Sequence, residues 1–355
     1  MIKIYTSLFV LFIIIVSAKA QETIDTVKID GVSGSQDAER FYNLGVESFG
    51  TKKYKDAMEF FNKALVIKPD FDKALSNRGA IKFENNDYAG AMLDFDKALT
   101  LVPNNENALF GKAQCFISIR KVEESLPILE SCIKINNMRP EYYYYLGVAK
   151  YFGKDYDGAM QAYNKAIELK PDYAYAYHDR AAVKIHNSDE KAAIEDYEQA
   201  ITFNSDLAFA HNNLGSAKRK SGDKRGAIEA YSQAIRIKPD YYIAFNNRGS
   251  VKFDMSDYEG AILDFKEALK IKNDYTYALI NLAAAQFKLG NFNECVDAAS
   301  QAIKIDKTIA NAYLNRGNAK EMLRDNYGSC DDWHKAAELG SSLAKIYITE
   351  CNTQK

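Results

Sequence analysis

Small and large residues recur along residues 38–343 with a period longer than any single helix. With position 1 set at Ala38 and a step of 34 residues, units begin at 38, 72, 106, 140, 174, 208, 242, 276 and 310, nine in all and without an insertion. Position 8 is Gly45, Gly79, Ala113, Gly147, Ala181, Gly215, Gly249, Ala283 and Gly317. Position 20 is Ala, Ser or Cys throughout, and position 27 is Ala except for Cys132. Position 24 is large, as in Phe61, Phe95, Leu129, Tyr163, Tyr197, Tyr231, Phe265 and Trp333, with Ala299 the exception. Small residues let two helices approach and a large one fills the space beside them. Pro69, Pro103, Pro171 and Pro239 all fall at position 32, where proline ends a second helix. Each unit therefore reads as a helical hairpin.

This pattern resembles the tetratricopeptide repeat over the whole of 38–343. The resemblance implies an all-α fold, an α-α superhelix or solenoid of nine helix-turn-helix repeats. Each unit buries its apolar face only against its neighbours. A last helix, with the tail spanning 344–355, is expected to cap the open end. Repeat three departs most, with Ser125, Leu129, Cys132 and Pro127 in its second helix; a bend and a locally looser unit both stay open.

Position 7 alternates between two chemistries. Arg78, Arg180, Arg248 and Arg316 occur where position 23 is Asp94, Asp196, Asp264 and Asp332. Leu44, Leu146, Leu214 and Leu282 occur where position 23 is Phe60, Ala162, Ala230 and Ala298. Only Lys112 with Ile128 breaks the rule. A buried charge without a partner is costly, so the two positions change together. Four ion pairs across the two helices of a hairpin follow, with a structural role rather than a catalytic one.

The resemblance also implies that first-helix positions 2, 5, 6, 9, 12 and 13 face a concave groove. Position 6 carries Asn43, Asn77, Asp179, Asn213, Asn247, Asn281 and Asn315, interrupted by Gly111 and Tyr145. An asparagine ladder both donates and accepts hydrogen bonds, which suits the backbone of an extended peptide. Exposed rings are expected beside it from Tyr42, Phe83, Phe110, Tyr144, Tyr151, Phe152, Tyr175, Phe253, Tyr277 and Phe287, as anchors of an interface. The competing reading has the Asn side chains bonded to neighbouring helices and the rings packed between repeats. Family members that grip a C-terminal carboxylate use a Lys and Asn cluster; the matching places hold Tyr42, Val46, Asn77, Asn107 and Gly111, and only Asn77 agrees.

Residues 1–20 change the picture of where the chain works. Lys3, an apolar run from Ile4 to Val16, and Ala18-Lys19-Ala20 form a secretory signal pattern. The run is shorter than the roughly 18–20 residues that span a bilayer, and no Cys follows Ala20. Removal of Lys3 and Lys19 from 46 basic residues leaves 44 against 48 acidic ones, a net charge of −4. That balance argues against a nucleic-acid partner, and the mature chain is not expected to insert in a membrane. Residues 21–37 read as a flexible leader. The protein is expected to be exported, to the periplasm or beyond the cell.

Cys330 and Cys351 lie almost equally far from a turn at Gly340, so an antiparallel hairpin brings them together and an exported protein favours a disulfide. Cys115, Cys132 and Cys295 replace small interface residues. The four histidines are scattered, no CxxC spacing suggests zinc, and no phosphate loop or nucleophile elbow is present. No catalytic residue, cofactor or metal is assigned. The chain is read as a non-catalytic scaffold that takes an extended peptide or a partner surface in its groove. The rival is an envelope structural or assembly factor that acts through its convex face or array ends.

Overall fold

The computed structural model describes residues 33–351. The signal segment 1–20 and leader residues 21–32 lie outside the described residues. The described chain holds nineteen α-helices and no strand, in two compact units that divide between Asn187 and Ser188.

The first unit contains α1 (Ser33–Gly50), α2 (Tyr54–Ile67), α3 (Asp72–Glu84), α4 (Tyr88–Leu101), α5 (Glu106–Ser118), α6 (Val122–Ile135), α7 (Pro140–Phe152), α8 (Tyr156–Leu169) and α9 (Ala174–His186). The second contains α10 (Glu190–Phe203), α11 (Ala208–Lys220), α12 (Lys224–Ile237), α13 (Tyr242–Asp254), α14 (Tyr258–Ile271), α15 (Thr276–Lys288), α16 (Phe292–Ile305), α17 (Ala310–Met322), α18 (Asn326–Glu338) and α19 (Ser342–Cys351). Within each unit consecutive helices pack as antiparallel hairpins: α1 with α2, α3 with α4, α5 with α6 and α7 with α8 in the first, and α11 with α12, α13 with α14, α15 with α16 and α17 with α18 in the second. Helix α1 begins at Ser33, inside the segment read as a leader.

Local chemistry explains the hairpins. The link from first to second helix reverses the chain through a left-handed residue at position 15. It is Lys52, Asn86, Arg120 and Lys154 in the first unit, and Ser188, Gly222, Ser256, Gly290 and Arg324 in the second. Glycine adopts that conformation freely, yet it fills only Gly222 and Gly290. The next residue, which immediately precedes the second helix, is often aspartate. Asp87, Asp155, Asp223, Asp257 and Asp325 accept the backbone N–H three residues on, at 2.9 or 3.0 Å, which satisfies an orphan donor of the first turn.

Where position 8 is glycine, the core of the hairpin is a ring set against a missing side chain. A Cβ added at Gly249 would sit 2.8 Å from the Phe265 ring, and one at Gly147 2.6 Å from Tyr163. At two of the three positions where alanine replaces the glycine, the position-24 residue is smaller: Leu129 with Ala113 and Ala299 with Ala283; with Ala181 it stays large, Tyr197. Tyr231 and Trp333 reach past the glycine and bond Ser216 (3.0 Å) and Asn318 (2.8 Å) with their polar ends.

Helix α6 runs unbroken through Pro127. The carbonyl that proline leaves without an amide partner belongs to Glu123, an exposed residue, where solvent can reach it. The junction after α6 lacks the position-32 proline. It is tied instead by Glu106, which accepts from Tyr142 Oη, Asn136 Nδ2 (3.3 Å) and Arg139 Nη1 (3.4 Å).

At the C-terminal end α19 packs on α18, with Tyr347 against Trp333 at 5.0 Å between ring centroids. A disulfide joins Cys330 to Cys351, their Cα atoms 5.8 Å apart. Cys115, Cys132 and Cys295 are buried free thiols, and burial pushes each up to about 12.

Gly249→Ala is expected to destabilise the protein by about 1–3 kcal/mol, the usual cost of forcing a methyl into a filled core. Gly222→Ala places its methyl in open space and pays only for its positive φ. Urea unfolding of the two variants checks this: a Gly249→Ala midpoint equal to wild type would remove the close approach from the account.

Candidate binding surface

The Arg and Asp positions of the alternating pattern are brought together wherever both lie in one unit. Arg78 Nε and Nη2 donate to Asp94 Oδ2 and Oδ1 at 2.8 and 2.6 Å. Arg248 holds Asp264 at 2.9 and 2.6 Å, and Arg316 holds Asp332 at 2.8 and 2.6 Å, in the same two-pronged way. The remaining guanidinium nitrogen reaches the second helix of the preceding hairpin: Asn62 from Arg78, Ser232 from Arg248, Ser300 from Arg316. Arg180 makes the equivalent bond to Asn164 at 2.7 Å. Arg180 belongs to the first unit, and Asp196, which is buried, to the second.

A lysine that the sequence reading missed completes each cluster. Lys82, Lys252 and Lys320, all at position 11, lie 2.7, 2.8 and 2.9 Å from the second oxygen of Asp94, Asp264 and Asp332. Each also donates to the carbonyl of Gly90, Gly260 or Gly328 in the first turn of the second helix. The carboxylates are almost wholly buried. These clusters clamp the two helices of one hairpin and fasten it to the hairpin before. They leave nothing for chemistry on a substrate.

The position-6 side chains run along the first helices, and the structure gives them partners 35 residues back. Asn77 Nδ2 donates to Tyr42 Oη (3.3 Å), Asn247 to Asn212 Oδ1 (3.1 Å), Asn281 to Asn246 Oδ1 (3.0 Å) and Asn315 to the Ile280 carbonyl (3.3 Å). In the first unit Tyr144 Oη donates to Asp179 at 2.9 Å along the same track. Asn213 accepts from Asn212, and Asn43 Oδ1 is buried without a donor. Asn213, Asn247, Asn281 and Asn315 are all buried, Asn247 at 4% exposure. Their mapped amide hydrogens bond neighbouring first helices, so position 6 knits repeat to repeat.

The expected row of exposed rings is corrected in part. Tyr42, Phe83, Phe110 and Tyr144 are buried, Tyr144 at 7% exposure. Phe83, Tyr151, Phe253 and Phe287, all at position 12, tuck against the ring or aromatic neighbour that opens the second helix. The partners are Tyr88, Tyr156, Tyr258 and Phe292, at 5.2–5.6 Å between centroids. Phe110 and Tyr144 pack on Tyr145. Tyr175, Tyr277 and Phe152 remain half-exposed.

What is left is a surface defined by packing direction. Within the first unit α3 touches α5, α5 touches α7 and α7 touches α9; in the second, α11 touches α13, α13 touches α15 and α15 touches α17. Successive second helices make no comparable contact. First helices therefore crowd toward one side of each unit and second helices splay on the other. Positions 2, 9 and 13 share a stripe with positions 5 and 6, because residues three and four apart stack on a helix face.

His178 Nδ1 lies 2.8 Å from Asp179, and His211 Nε2 3.1 Å from the Ser205 carbonyl; burial lowers the His211 imidazole below its ordinary value. Among the described residues no group of three or more His, Cys, Asp or Glu is placed to hold a metal ion. No described helix is long and apolar enough to cross a membrane.

Comparison with known proteins agrees with this architecture. The family described as "Tetratricopeptide repeat" matches residues 38–71 and 276–309, and that described as "TPR repeat" matches 153–184, 215–256 and 249–290. Among solved structures, Pseudomonas aeruginosa pilF is 20% identical, covers 61% of this chain and 97% of its own, and has a TM-score of 0.53. The Cut9 and Hcn1 hetero-tetramer of the APC/C is 14% identical, covers 93% and 79%, and scores 0.51. YrrB, titled a TPR protein with an unusual peptide-binding site, is 18% identical, covers 54% and 99%, and scores 0.47. For pilF and the Cut9–Hcn1 assembly, at these identities, the likeness is one of fold. No curated protein matches the chain in sequence.

The hairpins, their shared packing and these matches define an all-α solenoid of the kind that serves as a protein-interaction scaffold. The chain belongs to the tetratricopeptide-repeat family.

Asp264→Ala is expected to cost about 3–5 kcal/mol, since it strands Arg248 and Lys252 in a buried setting. Adding Arg248→Leu rebuilds the Leu–Ala pairing of Leu214 and Ala230 and recovers most of the loss. Chemical denaturation of the single and double variants decides it: a double variant no more stable than the single one would refute a role in balancing charge.

Proposed function

We propose that the protein is a non-catalytic scaffold that holds an extended segment of a protein partner against the first-helix side of its units. The observation that carries this reading is the crowding of first helices on one side while second helices splay apart. Within each unit that arrangement creates an inner surface built from regular helices, which are rigid enough to present fixed contacts. The buried asparagine track stiffens that surface; contact with the partner falls to the half-exposed residues of the same stripe, such as Gln114, Tyr175 and Tyr277. The charge clusters are consumed by the fold, which supports a scaffold rather than an enzyme.

The protein is also proposed to work outside the cytoplasm. Residues 1–20 have the composition of a secretory signal, and the Cys330–Cys351 disulfide suits an oxidising compartment.

Site-specific photo-crosslinking separates the inner surface from the outer one. A photoreactive residue at position 114 or 288 is expected to crosslink the partner in cell-envelope extract. One at position 93 or 263, where Leu93 and Leu263 stand 72% and 66% exposed on second helices, is expected not to. Crosslinks from 93 and 263 alone would overturn the inner-face reading and favour an assembly role for the outer face.

A further inference from the structure

The C-terminal end of the second unit is closed by a helix with half the usual support. Earlier in that unit the second helix of one hairpin packs against the first helix of the next: α10 on α11, α12 on α13, α14 on α15 and α16 on α17. Helix α19 takes that place on α18. A first helix such as α17 is also held by its own second helix, whereas α19 makes no comparable contact with any other described helix. It is short as well, with ten residues where α11, α13, α15 and α17 each have thirteen. Helices below about 12–15 residues are marginal without outside support.

The support that α19 has is uneven along its length. Near its start, Ser341 Oγ accepts the Ala344 amide at 3.3 Å and Ala344 is fully buried. Leu343 and Tyr347 are half-buried, with Tyr347 lying against Trp333, while Ile346 stands 61% exposed. The far end is tied to α18 by the disulfide, because Cys351 is the last residue of α19 and Cys330 lies in the second turn of α18. The bond therefore pins the end of α19 that lies farthest from the Gly340 turn.

That bond is also within reach of a reductant. Cys330 and Cys351 are half-buried, whereas Cys115, Cys132 and Cys295 are fully buried. A partly exposed disulfide exchanges with an attacking thiolate more readily than a shielded one.

We propose that the Cys330–Cys351 bond is a redox latch: a dithiol reductant opens it, α19 leaves α18, and the end of the second unit is bared. One thiolate of the reductant attacks a sulfur of the bond and forms a mixed disulfide, releasing the other cysteine. The second thiol of the reductant then displaces the remaining cysteine. The reductant ends as its own disulfide, and its two electrons and two protons end on Cys330 and Cys351 as thiols. The face that α19 leaves is apolar: Trp333 and Ala336, with Leu339 beside them, share one cluster with Leu343, Ala344 and Tyr347. Trp333 and Ala336 are 2% and 0% exposed while α19 is in place. The oxidised chain covers this face and the reduced chain presents it. The latch does not depend on what the inner face binds.

Trp333 is the only tryptophan of the chain, so its emission reports the cap directly. The full chain is treated with dithiothreitol under native conditions, and its thiols are counted by alkylation and mass spectrometry. Opening of the bond is expected to add two alkylated thiols and to move Trp333 emission to longer wavelength. Amide exchange across 342–351 is expected to quicken by about tenfold or more, with α15 and α16 unchanged. Glutathione disulfide is expected to restore the starting state. Cys330→Ser plus Cys351→Ser is expected to show the open state without any reductant and to keep the helical circular dichroism of the rest. A bond that resists dithiothreitol in the folded chain would overturn the proposal, as would two new thiols with emission and exchange unaltered. Loss of protection through α15–α18 together would also refute it, since the bond would then be a staple of the whole unit and not a latch on its last helix.

Discussion

The separation between the two helices of a hairpin is the constraint on which everything else depends. It is set by glycine at position 8 lying under a ring at position 24, as Gly45 under Phe61 and Gly317 under Trp333. Any side chain on the glycine would strike the ring. At that distance the facing residues at positions 7 and 23 also meet. They must then be chemically matched, either as two apolar groups or as a charge pair. The Arg78–Asp94, Arg248–Asp264 and Arg316–Asp332 contacts are thus a consequence of close packing rather than its cause. The arginine's spare nitrogen carries the same fit into the preceding hairpin.

Stability in such an array is shared between neighbours, and this chain shares it through two tracks. One joins each first helix to the second helix of the preceding hairpin, through the arginine bonds to Asn62, Ser232 and Ser300. The other joins first helices, through side chains 35 residues apart such as Asn281 and Asn246. The two tracks serve different ends. The first runs between successive hairpins, while the second lies beneath the surface on which the first helices converge. A face stiffened from below loses little freedom when a ligand settles on it.

The hairpins and the Arg–Asp alternation were legible because each rests on a constraint that one residue cannot satisfy alone. A glycine calls for a ring, and a buried arginine calls for an acid. The lysines at position 11 were not legible, because Lys150 and Lys218 occupy the same position without that aspartate; they pair with Asp155 and Glu198 instead. The turn residues hid for a similar reason: Lys52, Asn86 and Arg324 adopt the left-handed conformation that glycine would have signalled. The rings and asparagines were ambiguous because their chemistry is the same toward a ligand as toward a neighbouring repeat. Phe83 and Phe253 meet rings of their own hairpins, and Asn247 meets Asn212. Pattern gives a residue's place on the helix, but not which of two nearby surfaces it faces. The unmatched polar atoms of Glu39, Asn43 and Tyr173 emerge only when the bonds of every neighbour are known.

The central claim is that the hairpin interior holds the array together while the first-helix side meets the partner. Amide hydrogen exchange, measured by mass spectrometry with and without bound partner, tests it most directly. The account predicts added protection concentrated in first helices, with second helices unchanged. Protection confined to second helices such as α4 and α14 would contradict it.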